Sequence, residues 1–376
     1  GSASNLYTAA VALFNGMLLF VVGMFVYRGL YDAVPFLLAV ALSLCTAYLL
    51  VIGHRLLRQS AVQLRGVVLK MDHGLRRAGR VYAVGLALLV LFFAHSAFVQ
   101  FHTIEAKRRF LRMAQGTAEA ATLDRAIMHY ERALQVGLYA PVDREQELAS
   151  LYLVRGDRAS ARRSLERILD RRPDHIEASY QLGALARERG DMGAAMAHWR
   201  SALDQGHVRT GGREEERVLN AAMDLGAALE ARNDLPGALR VYEKGLDRLP
   251  DEVALLQRLG AVESRSGMDD RAIAHYEEAM RRTGGSAVLH NNLGALHFRT
   301  GDFDKALFHF QRLAELRPND AGVRYALATL LMRKGGSAQA REHLDIALRL
   351  DPDDSRSASA LAVLDQVVPP PNTSTP

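Results

Sequence analysis

The chain has 376 residues, 49% of them hydrophobic, one cysteine and a formal net charge of +5; the single Cys45 excludes a disulfide framework or a cysteine metal site. That charge is local: residues 1–112 carry 12 Lys and Arg against Asp32, Asp72 and Glu105, a net +9, while residues 113–376 carry 35 basic and 39 acidic residues, a net −4. Nucleic-acid binding requires basic residues clustered on a folded domain, and here they flank apolar segments, so nucleic acid is not expected as a partner.

Three apolar segments come first. Leu6–Tyr27 is 22 residues without a charge, Val34–Gly53 is 20 and Tyr82–Phe101 is 20, each long enough at 1.5 Å per residue to cross a hydrocarbon core of about 30 Å. They predict a membrane domain over residues 1–102 with three transmembrane helices and a basic loop at 54–80. A cleavable signal peptide fits the first segment poorly, because it lacks a basic leading region and its apolar run is too long. Gly16 and Gly23 in the first segment, and Ala39, Ser43 and Ala47 in the second, form small-residue stripes that let helices approach closely, either among the spans or on a partner's membrane helices. His95 is predicted to be neutral and hydrogen-bonded between helices.

Arg55, Arg58, Arg65, Lys70, Arg76, Arg77 and Arg80 lie between the second and third segments, and by the positive-inside rule they place that loop in the cytoplasm. The rest of the chain then lies in the periplasm. Arg28 with Lys107, Arg108, Arg109 and Arg112 supports the opposite, cytoplasmic placement. Within the loop, Leu56, Leu57, Leu64, Val67, Val68 and Met71 recur at helix-like spacing, so the stretch either extends the second span as a helix, lies on anionic lipid, or is a solvated connection.

From about Pro141 to Asp353 one 34-residue pattern recurs six times. Gly267, Gly301 and Gly335 are spaced by 34, as are Ala238, Ala272, Ala306 and Ala340, while Pro250, Pro318 and Pro352 keep step and Gly284 stands at the missing proline's place. A fixed period of this size specifies a solenoid of stacked units. In Val253–Ser286, Leu259-Gly260 falls midway along one predicted helix, Gly267 stops it, and Ala272, Tyr276 and Ala279 recur at i, i+4 and i+7 along the next. Gly260 and Ala272 are small where two antiparallel helices approach closely, and Tyr276 is a wedge filling space. Units 142–175, 176–209, 287–320 and 321–354 read the same way. Unit 219–252 has Asn233 at the turn, a residue that tolerates left-handed backbone, and Gly245 in place of the second alanine.

These residues resemble the tetratricopeptide repeat (TPR) family: small residues in both helices, an aromatic in the second and a terminal proline. The resemblance implies an all-α fold, with N-terminal transmembrane helices followed by a right-handed TPR solenoid. Residues 103–141 read as a degenerate first repeat, 142–354 as six repeats interrupted by the insertion 210–218, 355–368 as a capping helix and 369–376 as a disordered tail. Within the insertion Gly211-Gly212 suggests a flexible joint, and Glu214–Glu216 start a lengthened helix at its favourable end; the stretch reads as a tolerated loop insertion, with a hinge or a dedicated binding element as the alternatives.

In this family the first helix of each pair lines a concave groove. Leu-Gly-Ala occurs there four times, ending at Ala184, Ala227, Ala261 and Ala295, so the resemblance implies an alanine floor flanked by larger side chains. Tyr180, Arg187, Gln257, Arg265, Asn291, Asn292 and Arg299 are the candidate partner-binding residues, since Asn, Gln and Arg satisfy an extended peptide's backbone and arginine clamps carboxylates; Met223 and Glu230 flank the same floor. The lysine and asparagine set by which some members hold a C-terminal carboxylate is not evident.

No His-Glu-x-x-His, Walker loop or nucleophile elbow occurs among the 13 scattered histidines, and His290 and His297, seven apart, lack a carboxylate at ligand spacing. No catalytic residue, metal or cofactor is expected. The layout resembles that of membrane-bound repeat scaffolds of exopolysaccharide synthesis and secretion or of cytochrome c maturation. It implies a multi-pass protein of the bacterial inner membrane, meeting the lipid bilayer, membrane-embedded partner subunits and a protein or peptide ligand in the groove. The alternative is an accessory or substrate-reading subunit of a membrane transport or glycosyl-transfer unit.

Overall fold

Each full period of the repeat in the computed structural model resolves into two helices joined at a residue of positive φ. The structure describes residues 17, 18, 20, 21, 36–64, 66–72, 74–114, 120–137, 141–204 and 212–367. Leu6–Tyr27 lies outside them except for Met17, Leu18, Phe20 and Val21, as do the tail 369–376 and the first residues of the insertion. Two units are formed, Gly1–Ile168 and Leu169–Pro376.

The first unit opens with α1 (Phe36–Arg58). The chain then departs from the helix-like spacing of Leu56–Met71: β1 (Val62–Leu64), β2 (Val67–Met71) and β3 (Gly74–Leu75) form an antiparallel three-stranded sheet. The possible helical extension of the second span therefore stops at Arg58, and the all-α expectation gains one small sheet. Its causes are local. Val62, Val67 and Val68 are β-branched, and Gly66 turns the chain at φ 84°, a conformation that favours glycine. Val62 and Leu69 are buried with Ile52 and Leu56. A Cβ on Gly79 would lie 1.9 Å from the Leu69 carbonyl oxygen, so glycine alone lets β2 cross the helix that follows.

That helix, α2, runs unbroken over the 38 residues Arg77–Ala114. It takes in both the third apolar segment and the first half of the degenerate repeat, with no interruption near residue 102. Its C-terminal part packs on α3 (Ala120–Val136) through Ala106, Ala126, Ile127, Tyr130 and Ala133, all buried. Small residues at the contact let the two axes come close. His102 Nδ1 lies 2.7 Å from His129 Nδ1 across it. His95 is half-buried, and its Nε2 has no hydrogen-bond partner among the described residues, so the inter-helix bond expected there is not formed among them. α4 (Val142–Arg155) and α5 (Arg158–Arg171), which crosses the unit boundary, follow.

The second unit continues as α6 (Ile176–Glu188), α7 (Met192–Asp204), α8 (Arg213–Ala231), α9 (Leu235–Arg248), α10 (Val253–Arg265), α11 (Asp269–Thr283), α12 (Ala287–Thr300), α13 (Phe303–Leu316), α14 (Ala321–Arg333), α15 (Ser337–Leu350) and α16 (Ser355–Val367). Successive helices pack against one another. Asn233 turns at φ 59° where other repeats use glycines such as Gly267 at 75°. Asn233 keeps the turn because asparagine tolerates this region. Glu214, Glu215 and Glu216 occupy the first turn of the 19-residue α8, where the helix dipole favours them.

Within a pair, the glycine of the first helix faces the aromatic ring of the second. A Cβ built on Gly183 would lie 2.5 Å from Trp199, one on Gly226 2.3 Å from Tyr242, and those on Gly260 and Gly294 3.0 Å from Tyr276 and Phe310. Where the glycine is replaced by Ala328, the ring is replaced by Leu344, and both lie in one buried cluster. Ala149 and Leu165 make the same exchange and are fully buried. The wedge thus occupies the volume that the missing side chain vacates.

This matching is testable in the full chain. Gly226→Ala gains helix propensity of about 1 kcal/mol but overpacks against Tyr242, which costs about 1–3 kcal/mol. A net loss in the denaturant midpoint is expected. Adding Tyr242→Leu to Gly226→Ala recovers more stability than the sum of the single changes allows; strict additivity contradicts the matched pair.

Candidate functional site

The face carried by the first helices of the second unit has a small-residue floor. Ala227 and Ala295 are exposed and Ala184 and Ala261 half-buried, because the adjacent Leu-Gly turns inward toward the ring of the same pair. Around this floor the predicted residues separate into two groups.

The first group is engaged in joining repeats. The Tyr180 hydroxyl donates to Asp224 Oδ2 at 3.2 Å, and Arg187 Nη1 reaches Asp224 Oδ1 at 2.9 Å while its guanidinium lies 5.3 Å from the Trp199 ring. Arg265 Nη1 meets Glu230 Oε2 at 2.5 Å, and the Tyr242 hydroxyl donates to Glu230 Oε1 at 2.7 Å. Burial, followed by Glu230, holds the Tyr242 phenol well above its ordinary range. Arg299 donates to both carboxylate oxygens of Asp269, with Nε 2.8 Å from Oδ2, and to Ser264 Oγ at 2.9 Å. Arg333, one period on from Arg299, lies 5.1 Å from the Phe298 ring. Each of Arg265, Arg299 and Arg333 therefore reaches back to the preceding repeat. Half-exposed pairs of this kind contribute at most about 1 kcal/mol each, and their value lies in fixing the relative placement of neighbours.

The second group is available. Asn291 is exposed and Gln257 half-buried, and neither has a hydrogen-bond partner among the described residues. They occupy equivalent positions one period apart, with Met223 and Tyr325 in the same column. Asn292 bonds the Tyr276 hydroxyl, which ties it to the wedge of the preceding repeat.

The column ends in a cleft not foreseen from the sequence. Tyr325, Thr329 and Met332 of α14 face Arg356, Ser359 and Val363 of α16 across an open concavity. The Arg356 guanidinium lies 5.2 Å from the Tyr325 ring and its Nε is 3.0 Å from Asp354 Oδ1. The periodic signal is present, since Tyr325, Thr329 and Met332 stand one full period beyond Asn291, Ala295 and Phe298.

A second unforeseen feature is polar and internal. His275, His309 and His343 also recur at the repeat period, on second helices. His275 Nδ1 lies 2.6 Å from Glu263 Oε2. His309 sits between the two histidines that the sequence singled out, with its Nδ1 3.1 Å from His290 Nδ1 and its ring stacked on His297 at 5.6 Å. His290, His297 and His309 are all buried, and His297 Nε2 lacks a partner among the described residues. Burial, then His290 and His297, then Lys305 push His309 down to about 4. Burial likewise lowers His290, beside Arg312 and Glu315, and His297, beside Lys305, Asp302 and Glu277. Among the described residues no group of three or more His, Cys, Asp or Glu is arranged to hold a metal.

Family models described as tetratricopeptide repeat match residues 147–207, 251–319 and 297–364. This is a tetratricopeptide-repeat protein. Among solved structures, the C-terminal part of a TPR repeat-containing protein from Cytophaga hutchinsonii is similar at 13% identity and a TM-score of 0.50, covering 70% of this chain and 99% of that one. YrrB, titled a TPR protein with an unusual peptide-binding site, has 18% identity and a TM-score of 0.44 over 52% of this chain and 96% of its own. PilF from Pseudomonas aeruginosa has 16% identity and a TM-score of 0.41 over 59% and 97%. The Cytophaga likeness shows the fold alone. No curated protein matches the sequence.

The TPR array should be acid-labile. Histidines held neutral in the folded state, below their ordinary value of 6.5, bind more protons when unfolded. Stability is therefore fully present above about pH 6.5 and falls as pH drops toward about 4. Thermal melts of the full chain should show this loss, and His309→Leu should make the pH dependence shallower. An unchanged slope in that variant would place the acid sensitivity elsewhere.

Proposed function

We propose that this TPR protein is a membrane-anchored scaffold whose first-helix face binds a protein or peptide partner, so assembling or regulating a complex of the bacterial envelope such as those of exopolysaccharide synthesis and secretion or cytochrome c maturation. TPR repeats supply the interaction scaffold. One observation carries the choice of face: Gln257 and Asn291 stand in register beside an accessible alanine floor with unspent amide groups, and the same column opens into the Tyr325–Val363 cleft. Such amides satisfy both the N–H and the C=O groups of an extended backbone. Tyr180, Arg187, Asn292, Arg265 and Arg299 shape the walls, and their existing partners orient them.

The anchor is supported by α1 and α2. Val40–Arg58 and Arg77–Arg112 are apolar and long enough to cross a membrane. Along α2, Val81, Leu88 and Leu91 are 73%, 61% and 65% exposed, a stripe larger than a water-soluble surface ordinarily leaves open. Since α2 would cross the bilayer, the sheet and the TPR array lie on opposite sides in this reading. The positive-inside rule puts the basic sheet in the cytoplasm and the array in the periplasm.

Photocrosslinking tests the face. A crosslinker at Asn291 should capture a discrete partner in native membranes, while one at Gln311, exposed on α13, should not; capture from both positions alike would remove the assignment. In a Cys45→Ala background, Ala338→Cys should react with a membrane-impermeant maleimide in spheroplasts, and labelling only after lysis would reverse the orientation.

A further inference from the structure

The sheet closes over the end of the α1–α2 pair. Tyr82 donates to the Leu49 carbonyl, Lys70 Nζ donates to the Leu56 carbonyl at 2.8 Å, and a Cβ on Gly53 would lie 2.3 Å from Leu86. Val62 and Leu69 are consumed in covering Ile52 and Leu56. The outward surface is mixed in a specific way. Val67, Val68, Met71 and Leu75 are 51%, 38%, 42% and 39% exposed, and Leu57 is 83% exposed. Interleaved with them, Arg55, Arg58, Arg76, Arg77 and Arg80 are exposed and have no carboxylate partner among the described residues. Asp72 is the only acid between residues 54 and 80, against seven Lys and Arg.

These two properties together select an occupant. A water-facing connection has no use for five large apolar tips on so short a segment. A protein partner covering them would have to supply several carboxylates at once, because desolvated arginines need paired charge. A bilayer interface meets both demands: the apolar tips enter the acyl boundary, while the guanidinium groups remain at the level of the phosphates. The sheet is moreover continuous with the two helices that cross the membrane in the reading above, on which this inference rests. We propose that β1–β3 and its flanking arginines form a platform that binds anionic phospholipid headgroups at the surface where α1 leaves and α2 enters the bilayer. Electrostatic attraction then presses the sheet onto anionic lipid and weakens with salt.

The test uses the full chain reconstituted in vesicles of phosphatidylcholine alone or of phosphatidylcholine with phosphatidylglycerol. In a Cys45→Ala background, an environment-sensitive dye is placed either at Val68→Cys on the sheet or at Val90→Cys within α2, and an aqueous neutral quencher is added. The expected result is a dye at Val90 protected in both lipids, and a dye at Val68 several-fold less quenched in the anionic vesicles. High salt should abolish that protection, as should the triple change Arg76→Gln, Arg77→Gln, Arg80→Gln and, independently, Arg55→Gln with Arg58→Gln. Equal quenching at Val68 in the two lipids, with Val90 protected, overturns the platform while leaving the span reading intact. Salt-insensitive protection at Val68 in both lipids overturns the anionic specificity. Free quenching at Val90 removes the spanning reading and the platform with it.

Discussion

The array depends on the contact between a glycine in one helix and an aromatic ring in the next. At Gly183, Gly226, Gly260 and Gly294 the ring sits in the volume a side chain would occupy, so the two axes are held at a separation set by the thickness of an aromatic plane. Ala328 with Leu344 reaches the same end with a smaller wedge and a larger residue at the glycine position. Once this distance is set, the leucine preceding each glycine turns inward and the alanine following it turns out. The floor of the open face is thus a by-product of the core: one Leu-Gly-Ala triplet serves packing with its first two residues and accessibility with its third.

Stacking the pairs uses a different chemistry. The wedge contact is internal to a pair, and what joins one pair to the next on the open face is a series of arginines reaching backward: Arg265 to Glu230, Arg299 to Asp269 and Ser264, Arg333 to the Phe298 ring. Each acts through the same position but on a different acceptor. Their removal would disturb stacking as well as ligand contact, so the unbonded Asn291 and Gln257 are the cleaner reporters of binding. Inside the fifth repeat the core itself is polar. Burying His290, His297 and His309 together is tolerated only while they stay neutral, since desolvation disfavours the charged ring. That repeat trades hydrophobic burial for a dependence on pH.

Much of this is legible in the spacing. The fixed repeat period locates the turns, including the one at Asn233, and identifies Gly260 as a point of close helix approach and Tyr276 as the wedge. It does not identify acceptors. Periodicity assigns Arg265 and Arg299 to one column, but whether a column faces ligand or a neighbouring repeat depends on residues elsewhere in the period, here Glu230 and Asp269. His309 escapes notice because its partners, His290 and His297, stand on the preceding helix at no repeat spacing from it, although His275 and His343 mark its own column. The sheet is misread for a physical reason. Leu56, Leu64, Val67 and Met71 do fit a helical stripe, but Val62, Gln63 and Leu64 alternate with a period of two, and Gly66 supplies a positive φ that a helix interior does not use. Over so short a stretch the two periods overlap, and the turn residue decides.

α2 runs as one helix through both the third apolar segment and the first half of the degenerate repeat. At 1.5 Å per residue its 38 residues extend about 57 Å, well beyond a hydrocarbon core of about 30 Å. On the membrane reading its C-terminal portion projects from the lipid and packs directly on α3 through Ala106, Ala126, Tyr130 and the His102–His129 contact. A flexible linker would let the first helix pair tumble independently of the anchor; a continuous helix fixes its tilt and rotation to those of the span. Rotating that span in the bilayer would then turn the α2–α3 pair with it, because a helix without a break has no soft dihedral at which to absorb the motion. The small residues at the α2–α3 contact reinforce this, since close packing around Ala106 leaves little room for slippage. The chain joins its long apolar helical stretch to its first helix pair by one continuous helix, an arrangement that, on the membrane reading, holds that pair at a fixed height above the bilayer.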